Sequence, residues 1–220
     1  MKVACLSDTH GHLPEIPECD LLLLGGDYCP FPKHFQEGWF RQQMAPWLAK
    51  ISEKTKVVGV AGNHDWIFEL HPHLVPKMEW TYLQDSGTEF NGFKIWGTPW
   101  QPRFFDWAFN ADEPKLTMVW DMIPDDTDIL VLHGPPYGYG DKSTFRTNYD
   151  GEWPGYEHAG SPSLLKRIEA IKPKLVVAGH IHPGYGRYMI GESTVFINAS
   201  YVYDANRKYV PRGDIQVVEL

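Results

Sequence analysis

Short apolar runs alternate with polar segments along the whole chain. Five of these runs are five residues long, almost wholly apolar, and bounded by charged or turn-forming residues, which is typical of buried strands. They cover residues 2–6, 20–24, 56–60, 128–132 and 174–178. The same reasoning predicts further strands at residues 93–96, 194–198 and 214–220.

Apolar residues repeat at helical spacing in three of the intervening segments. Residues 35–51 predict a helix that Pro46 should kink or split. Residues 161–171 begin with Ser161 as an N-cap and a proline in the first turn, and a third helix is predicted at 113–122. Strands that alternate with helices predict an α/β fold in which sheets pack beneath helices.

Length and loop composition bear on domain organisation. A chain of 220 residues without a repeat or a long linker predicts a single domain over residues 1–220. Residues 135–162 are rich in Gly, Tyr and Pro without periodicity, and we interpret them as an irregular loop near the active site. The alternative is a disordered excursion.

Charge and cysteine usage exclude several classes of protein. A formal net charge of −8 argues against binding of long nucleic acids, which requires clustered Lys and Arg. Three cysteines without a CxxC pair suggest neither a disulfide framework nor a thiolate zinc site. With no signal-peptide pattern and no apolar run of about 18 residues, we expect a cytoplasmic protein without a membrane partner.

Polar, chemically active residues follow five of the predicted strands. The motifs are SDTH (7–10), GGD (25–27), GNHD (62–65), HG (133–134) and GHIH (179–182). Because strand ends converge at one edge of an α/β sheet, these motifs are expected to meet in one crevice. The side chains gathered there would be Asp8, His10, Asp27, Asn63, His64, His133, His180 and His182.

This set of donors predicts a metal centre. Carboxylate, imidazole and amide oxygen without thiolate suit Mn(II), Fe or Zn(II), and eight groups are too many for one four- to six-coordinate ion. A pair of ions bridged by a carboxylate is therefore the more natural arrangement. Each motif alone has another interpretation, since an Asp at a strand end also serves as a turn or helix-cap residue.

The ordered motif series resembles the calcineurin-like metallophosphoesterase superfamily across residues 8–182. Three longer stretches resemble its metallophosphoesterase-domain, or UPF0046-like, branch: residues 98–110, 133–141 and 179–186. The resemblance implies a four-layer αββα sandwich with the metal site at the carboxyl edge of the strands. It also implies two divalent ions, with Mn expected to serve in vitro and Fe or Zn as alternatives.

The resemblance assigns a role to each residue. His64 would not bind a metal but would face the scissile phosphate. It would either stabilise the phosphate or donate a proton to the leaving oxygen. Hydrolysis would proceed by a metal-activated hydroxide without a covalent enzyme intermediate. The implied ligands are Asp8, His10 and His182 for the first ion, Asp27 as the bridge, and Asn63, His133 and His180 for the second ion.

Six further residues are candidates around the metal centre. Arg103 and Arg146 are candidates for phosphate contacts, with solvated surface arginines as the alternative. Substrate contacts are also predicted for Trp100, a candidate to stack on a nucleobase, and for Asn198, which ends a strand. Asp65 and His12 are predicted to support the ligands from behind. Asp65 would do so by accepting a hydrogen bond from an imidazole, and the alternative is a surface Asp at the start of a helix.

These inferences together predict a dinuclear phosphodiesterase that acts on a small, nucleotide-derived phosphodiester. The same core would also serve a phosphomonoesterase or a phosphoprotein phosphatase. The alternative outside enzymology is a non-catalytic metal-binding scaffold protein, although no ligand position is lost here. The sequence predicts no particular oligomeric state.

Overall fold

The computed structural model describes residues 1–31, 33–143, 158–206 and 208–220. Most strands coincide with the apolar runs, to within two residues at each end. In chain order they are β1 (Lys2–Leu6), β2 (Leu21–Leu24), β3 (Lys56–Gly59), β4 (Thr81–Tyr82), β5 (Ser86–Phe90), β6 (Phe93–Thr98), β7 (Gln101–Pro102), β8 (Asn110–Ala111), β9 (Ile129–Leu132), β10 (Leu175–Ala178), β11 (Gly186–Ile190), β12 (Thr194–Asn198), β13 (Val202–Ala205), β14 (Lys208–Pro211) and β15 (Gln216–Glu219).

Two sheets form the centre of the molecule. One has five strands in the order β15-β1-β2-β3-β4, and the other has six in the order β11-β12-β10-β9-β6-β5. The inner strands run parallel, whereas β15, β11 and β5 pair antiparallel at the edges. The parallel strands are buried on both faces, which explains why their sequences are continuous apolar runs.

The helices lie on the outer faces of the two sheets. The kink predicted at Pro46 takes the form of a π-helical stretch, Phe40–Met44, which joins the helix at Gln36–Trp39 to the helix at Ala45–Ser52. Short 3₁₀ turns occur at Pro72–Leu74 and His182–Gly184. The α-helices are α1 (Gln36–Trp39), α2 (Ala45–Ser52), α3 (Trp66–Leu70), α4 (Glu113–Asp121) and α5 (Pro162–Ile171).

Alternation along β1 shows how the layers are stacked. Val3 and Cys5 belong to the apolar cluster between the two sheets. Ala4 and Leu6 point the other way, into the cluster shared with α1, α2 and α3. A third cluster joins the opposite face of the second sheet to α4 and α5. The order helix, sheet, sheet, helix confirms the expected four-layer αββα sandwich.

Asp141 links the two ends of the loop predicted at 135–162. The buried carboxylate of Asp141 accepts hydrogen bonds from the backbone N–H groups of Gly138 and Gly160, at 2.9 and 3.0 Å, and contacts His158 Nδ1 at 2.8 Å. Residues 144–157 of this predicted loop lie outside the described residues.

The last part of the chain contains an element that the sequence did not predict. Strands β13 and β14 form an antiparallel two-stranded hairpin that belongs to neither sheet. Its residues are largely exposed and do not alternate between apolar and polar types, so the usual strand signal is missing. Within the described ranges, no helix has the length and apolar character needed to cross a membrane.

We expect Ser161→Ala to destabilise the fold by about 2–4 kcal/mol. Ser161 Oγ caps α5 by accepting the Leu164 N–H at 3.1 Å, and it also accepts the buried indole N–H of Trp120 at 3.2 Å. The substitution would remove the cap and leave the indole donor unpaired. Urea unfolding followed by circular dichroism measures the effect.

The matched control is Ser52→Ala at the end of α2, where the hydroxyl is exposed and bonds only within its own helix. This variant should lie within about 0.5 kcal/mol of wild type. Equal unfolding midpoints for the two variants would contradict the capping role of Ser161.

Candidate metal centre

The carboxyl ends of strands from both sheets are hydrogen-bonded to one another. The backbone N–H of Ser7, after β1, donates to the carbonyl of Ala199 after β12, and Tyr201 N–H donates back to the Ser7 carbonyl. His133, after β9, donates from Nδ1 to the carbonyl of Gly25 after β2, at 2.8 Å. These cross-links bring the polar motifs of the two sheets into one buried cluster.

One group of donors consists of Asp8, His10 and His182. Nε2 of His10 and Nε2 of His182 are 3.3 Å apart, and Asp8 Oδ1 lies 3.4 Å from the latter atom. All three side chains are buried. Three atoms with lone pairs therefore point at the same small volume.

The protonation of His182 is determined by a residue that the sequence did not single out. Nδ1 of His182 lies 2.8 Å from Oδ2 of Asp204, so Nδ1 carries the proton and Nε2 is left to face Asp8 and His10. A carboxylate behind an imidazole in this way is a common support for a metal-binding histidine.

A second group of donors surrounds His133. Because its Nδ1 donates to Gly25, the Nε2 lone pair faces Asn63 Oδ1 at 2.7 Å and Asp27 Oδ1 at 3.5 Å. The ring of His180 packs edge-on against His133 with centroids 4.9 Å apart. Asp27, His133 and His180 thus form a further triad of potential ligands.

Asp27 lies between the two groups. Its Oδ1 is near His133, while its Oδ2 is 3.8 Å from Nε2 of His10. The backbone N–H of His64 donates to Oδ1 at 2.7 Å and fixes the carboxylate in this orientation. Asp27 therefore contacts both donor groups, and its bridging role stays a prediction from the resemblance.

The cluster suits divalent cations because its buried groups attract positive charge. Burial and the negative charge of Asp8 raise the pKa of Asp27 well above its usual value. Burial lowers the pKa of His182, but hydrogen bonds to Asp204 and Asp8 outweigh that effect and raise it to about 10. Both shifts show that the site favours additional positive charge, which bound cations would supply.

His64 lies at the open side of the cluster. Its ring stacks on Trp107, with centroids 4.2 Å apart, and its Nε2 is 4.0 Å from Asp27 Oδ2. Burial and the neighbouring His133 lower the pKa of His64 to about 4. The imidazole is therefore neutral near pH 7 in the free protein and carries one N–H group.

Four of the candidate ligands have left-handed backbone conformations. Asp8, His10, Asp27 and His180 have φ values of +50°, +43°, +57° and +66°. Such conformations cost about 1–3 kcal/mol each in non-glycine residues and occur often at functional sites. Gly179 is required for a different reason, because a β-carbon there would overlap the carboxylate of Asp8.

Asp65 supports the site, but not by the predicted contact with an imidazole. Its carboxylate is fully buried and accepts four backbone N–H groups at 2.8–3.1 Å. Three donors, Asp27, Tyr28 and Cys29, follow β2, and the fourth is Gly62 after β3. The surface interpretation of this residue is also wrong, since its exposure is 0%.

Asn198 does not have a free amide for substrate. Its Nδ2 donates to the carbonyls of Gly140 and Ile181 at 2.9 and 3.0 Å, and its Oδ1 accepts from the backbone and the hydroxyl of Ser200. Ser200 Oγ in turn donates to Asp8. The predicted substrate contact is corrected to a structural role, because both ends of the buried amide are already bonded within the protein.

The other predicted contacts have different surroundings. Trp100 packs against Phe109 and Lys115 and donates its indole N–H to Asp85, which indicates a role in packing. The exposed guanidinium of Arg103 pairs with Asp112 at 2.8 Å. His12 contacts no ligand directly, but its Nε2 is 3.4 Å from the carbonyl of Tyr209. Arg146 lies outside the described residues.

Sequence reasoning missed several residues around the cluster, among them Gln36, Asp204 and Tyr209. Gln36 bonds to the carbonyl of His64 and to the N–H of Ile67, and thereby holds the GNHD segment. Asp204 supports His182, and the ring of Tyr209 stacks on His10 with centroids 3.9 Å apart. None of the three belongs to a strand-end motif, so the pattern that identified the ligands carried no signal for them.

Comparison with known proteins agrees with this geometry. A family model described as calcineurin-like phosphoesterase matches residues 1–184. The chain belongs to the calcineurin-like phosphoesterase family. The matched range contains every candidate metal ligand, from Asp8 to His182.

Curated relatives of this family member confirm the predicted branch. Human metallophosphoesterase domain-containing protein 1 is 31% identical over 228 residues, which are 90% of this chain and 65% of the relative. A UPF0046 protein of Caenorhabditis elegans is 31% identical over 226 residues, 94% of this chain and 72% of that protein. The chain thus spans slightly less than two thirds of the human relative's length.

Solved structures support the fold of this phosphoesterase-family chain. A protein of Thermus thermophilus superposes with a TM-score of 0.54 at 14% identity, over 99% of this chain and 97% of that one. A phosphopantetheinyl hydrolase from Mycobacterium tuberculosis gives the same score and identity, over 90% and 88%. At this level of identity the likeness concerns the fold alone.

We expect Asp204→Ala to weaken the binding of one Mn(II) equivalent by about 10- to 100-fold. His182 would lose the acceptor that holds its proton on Nδ1 and its lone pair toward Asp8. Titration calorimetry on metal-free protein measures the loss. Asp125→Ala removes a surface carboxylate before β9 at the opposite edge of the sheet, and this control variant should bind Mn(II) as tightly as wild type.

Proposed function

We propose that the protein is a dinuclear metal-dependent phosphodiesterase that hydrolyses a small, nucleotide-derived phosphodiester. One observation carries the proposal: two groups of buried donors converge on the carboxylate of Asp27, with the imidazole of His64 directly beside it. A purely structural metal site would enclose its ion with ligands, whereas this cluster is open on the side of His64.

The ligand assignment proposed from the motifs suits this geometry. Two divalent cations would lower the pKa of water for attack and neutralise charge on the phosphate oxygens. We propose Mn as the activating metal in vitro, and Fe or Zn as alternatives with the same donor preferences. Asp8, His10 and His182 would hold one ion, with Asp27 shared and with the other ion held by Asn63, His133 and His180.

His64 is proposed to act on the phosphate rather than on a metal. Its backbone N–H holds Asp27, and stacking on Trp107 fixes the ring at the open side. As a neutral imidazole it donates a hydrogen bond to a phosphate oxygen, and the negative charge of a bound substrate would raise its pKa toward the range of a general acid.

The rim of the cluster is aromatic, which favours a diester with a planar group. Trp107 lies on His64, Phe104 lies edge-on 6.2 Å from the ring of His180, and Tyr209 covers His10. Aromatic rings bind nucleobases by stacking. A diester carries one negative charge, and this suits a rim of rings better than the dianion of a monoester does. The formal net charge of −8 argues against long nucleic acids as partners, and we expect no membrane partner.

A cytoplasmic location is also proposed. Cys5, Cys19 and Cys29 are all buried free thiols, and burial raises the pKa values of all three above the usual value. Unpaired cysteines are typical of a reducing compartment.

We expect Mn(II)-dependent hydrolysis of bis-p-nitrophenyl phosphate, lost after chelation and restored when Mn(II) is returned. Asp27→Ala should reduce the rate to that of buffer, because both ions lose their shared ligand. The release of nitrophenolate gives the rate. The control is His71→Ala, an exposed histidine after α3, whose activity should equal that of wild type. Equal rates for Asp27→Ala and wild type would refute the assignment.

A substrate panel separates the two esterase classes. We expect cyclic nucleotides and linear dinucleotides to be hydrolysed with a higher kcat/KM than nucleoside monophosphates. The reverse order would indicate a phosphomonoesterase. If every ester stayed intact while Mn(II) bound tightly, the protein would be a metal-binding scaffold.

The effect of His64→Ala should depend on the leaving group. Loss of a general acid costs about 10²- to 10⁴-fold when the leaving oxygen needs a proton, as in a nucleotide diester. Nitrophenolate leaves without protonation, so the loss of kcat with bis-p-nitrophenyl phosphate should be much smaller. The same loss with both substrates would mean that His64 stabilises the phosphate without donating a proton.

A further inference from the structure

His10, His133 and His182 differ in how the protein holds the Nδ1 atom of each ring. His133 donates from Nδ1 to a backbone carbonyl, and His182 does so to the carboxylate of Asp204. Nδ1 of His10 is buried, and among the described residues it has no hydrogen-bond partner. Because metal-binding histidines almost always donate their second ring N–H, His10 needs another means of orientation.

The ring of Tyr209 provides that means. It lies parallel to the imidazole of His10, with an interplanar angle of 13° and centroids 3.9 Å apart. The rings of His64 and His182 meet His10 edge-on at 4.7 and 5.2 Å. A rotation of His10 that moved Nε2 away from Asp8 and Asp27 would break the stacked contact.

The hairpin β13–β14 is fixed to the site by several bonds. Arg212, which follows β14, donates to the carbonyls of His182 and Ser200 at 2.8 and 3.2 Å. Its guanidinium also contacts the rings of Tyr185 and Tyr203. The hairpin is therefore held against the same loop that carries His182.

We propose that this hairpin, formed by strands Val202–Ala205 and Lys208–Pro211, is a clamp that orients both histidines of the first donor group, with Tyr209 positioning His10 by stacking in place of a hydrogen bond. Asp204 on β13 holds His182, and Tyr209 on β14 holds His10. The clamp lies beyond residues 1–184, the range that the family model matches. The proposal rests on the two-ion site of the proposed function.

The test is titration of metal-free protein with Mn(II), read by calorimetry. Wild type should bind two equivalents. Tyr209→Leu, which keeps apolar bulk but removes the planar ring, should weaken one equivalent by about 3- to 10-fold, the range that aromatic pairs contribute, and leave the other unchanged. Tyr209→Phe keeps the stack and should stay within about twofold of wild type.

Two further variants sharpen the test. Lys208→Ala, on the same strand, is the matched control and should bind as wild type does. In the double variant Tyr209→Leu/Asp204→Ala the two losses should multiply, because the two side chains act on different histidines. Thermal unfolding of the metal-free variants provides a check on the fold, which a ring that is 40% exposed should barely affect.

Three results would overturn the proposal. Two unchanged equivalents in Tyr209→Leu would refute the clamp alone and leave the two-ion site intact. Equal losses in Tyr209→Phe and Tyr209→Leu would assign the effect to the hydroxyl group and refute stacking. Fewer than two equivalents in wild type would refute the two-ion site and the clamp together.

Discussion

The carboxylate of Asp65 is the interaction on which the site depends. The turns after β2 and β3 are buried, and their backbone N–H groups would be left without partners if no acceptor lay between them. Asp65 satisfies four of these groups at once and holds Asp27 in its left-handed conformation. The position of the Asp27 carboxylate is therefore a consequence of backbone hydrogen bonding within the protein.

The second constraint is electrostatic. Parallel strands of two sheets end side by side, and the residues after them place carboxylates and imidazole lone pairs in one buried volume. Each imidazole whose outer nitrogen donates to the protein must direct its other nitrogen inward, as His133 and His182 do. Burial of so many lone pairs and carboxylates is unfavourable unless positive charge lies among them, so the fold that creates the cluster also makes it a candidate site for cations.

The support of the ligands differs between the two sides of the cluster. The donors around His133 are held by the strand-end motifs themselves, through Gly25 and Asp65. Those around His10 and His182 also contact the hairpin near the C-terminus, which the family model does not cover. Such a division would allow the hairpin to change while the ligands of the second side stay the same.

The grouping of the candidate ligands was predictable from the sequence because it depends on local order along the chain. Each strand is a short apolar run, and each ligand follows within a few residues, so Asp8, His133 and His182 could be assigned to one edge from strand order alone. The helix at 161–171, with its Ser161 cap, was predictable for the same reason.

Only the tertiary structure decided what lies behind the ligands. Whether Asn198 faces substrate or protein depends on the acceptors around it, and these come from Gly140 and Ile181, far apart in the chain. Asp204 and Tyr209 lie in a polar hairpin without apolar alternation, and they reach His182 and His10 only when the chain folds back over the strand ends. The sequence alone determined which residues have the chemistry to bind metal, because that depends on residue type and strand order. The fold decided how they are oriented, because orientation depends on contacts between distant segments.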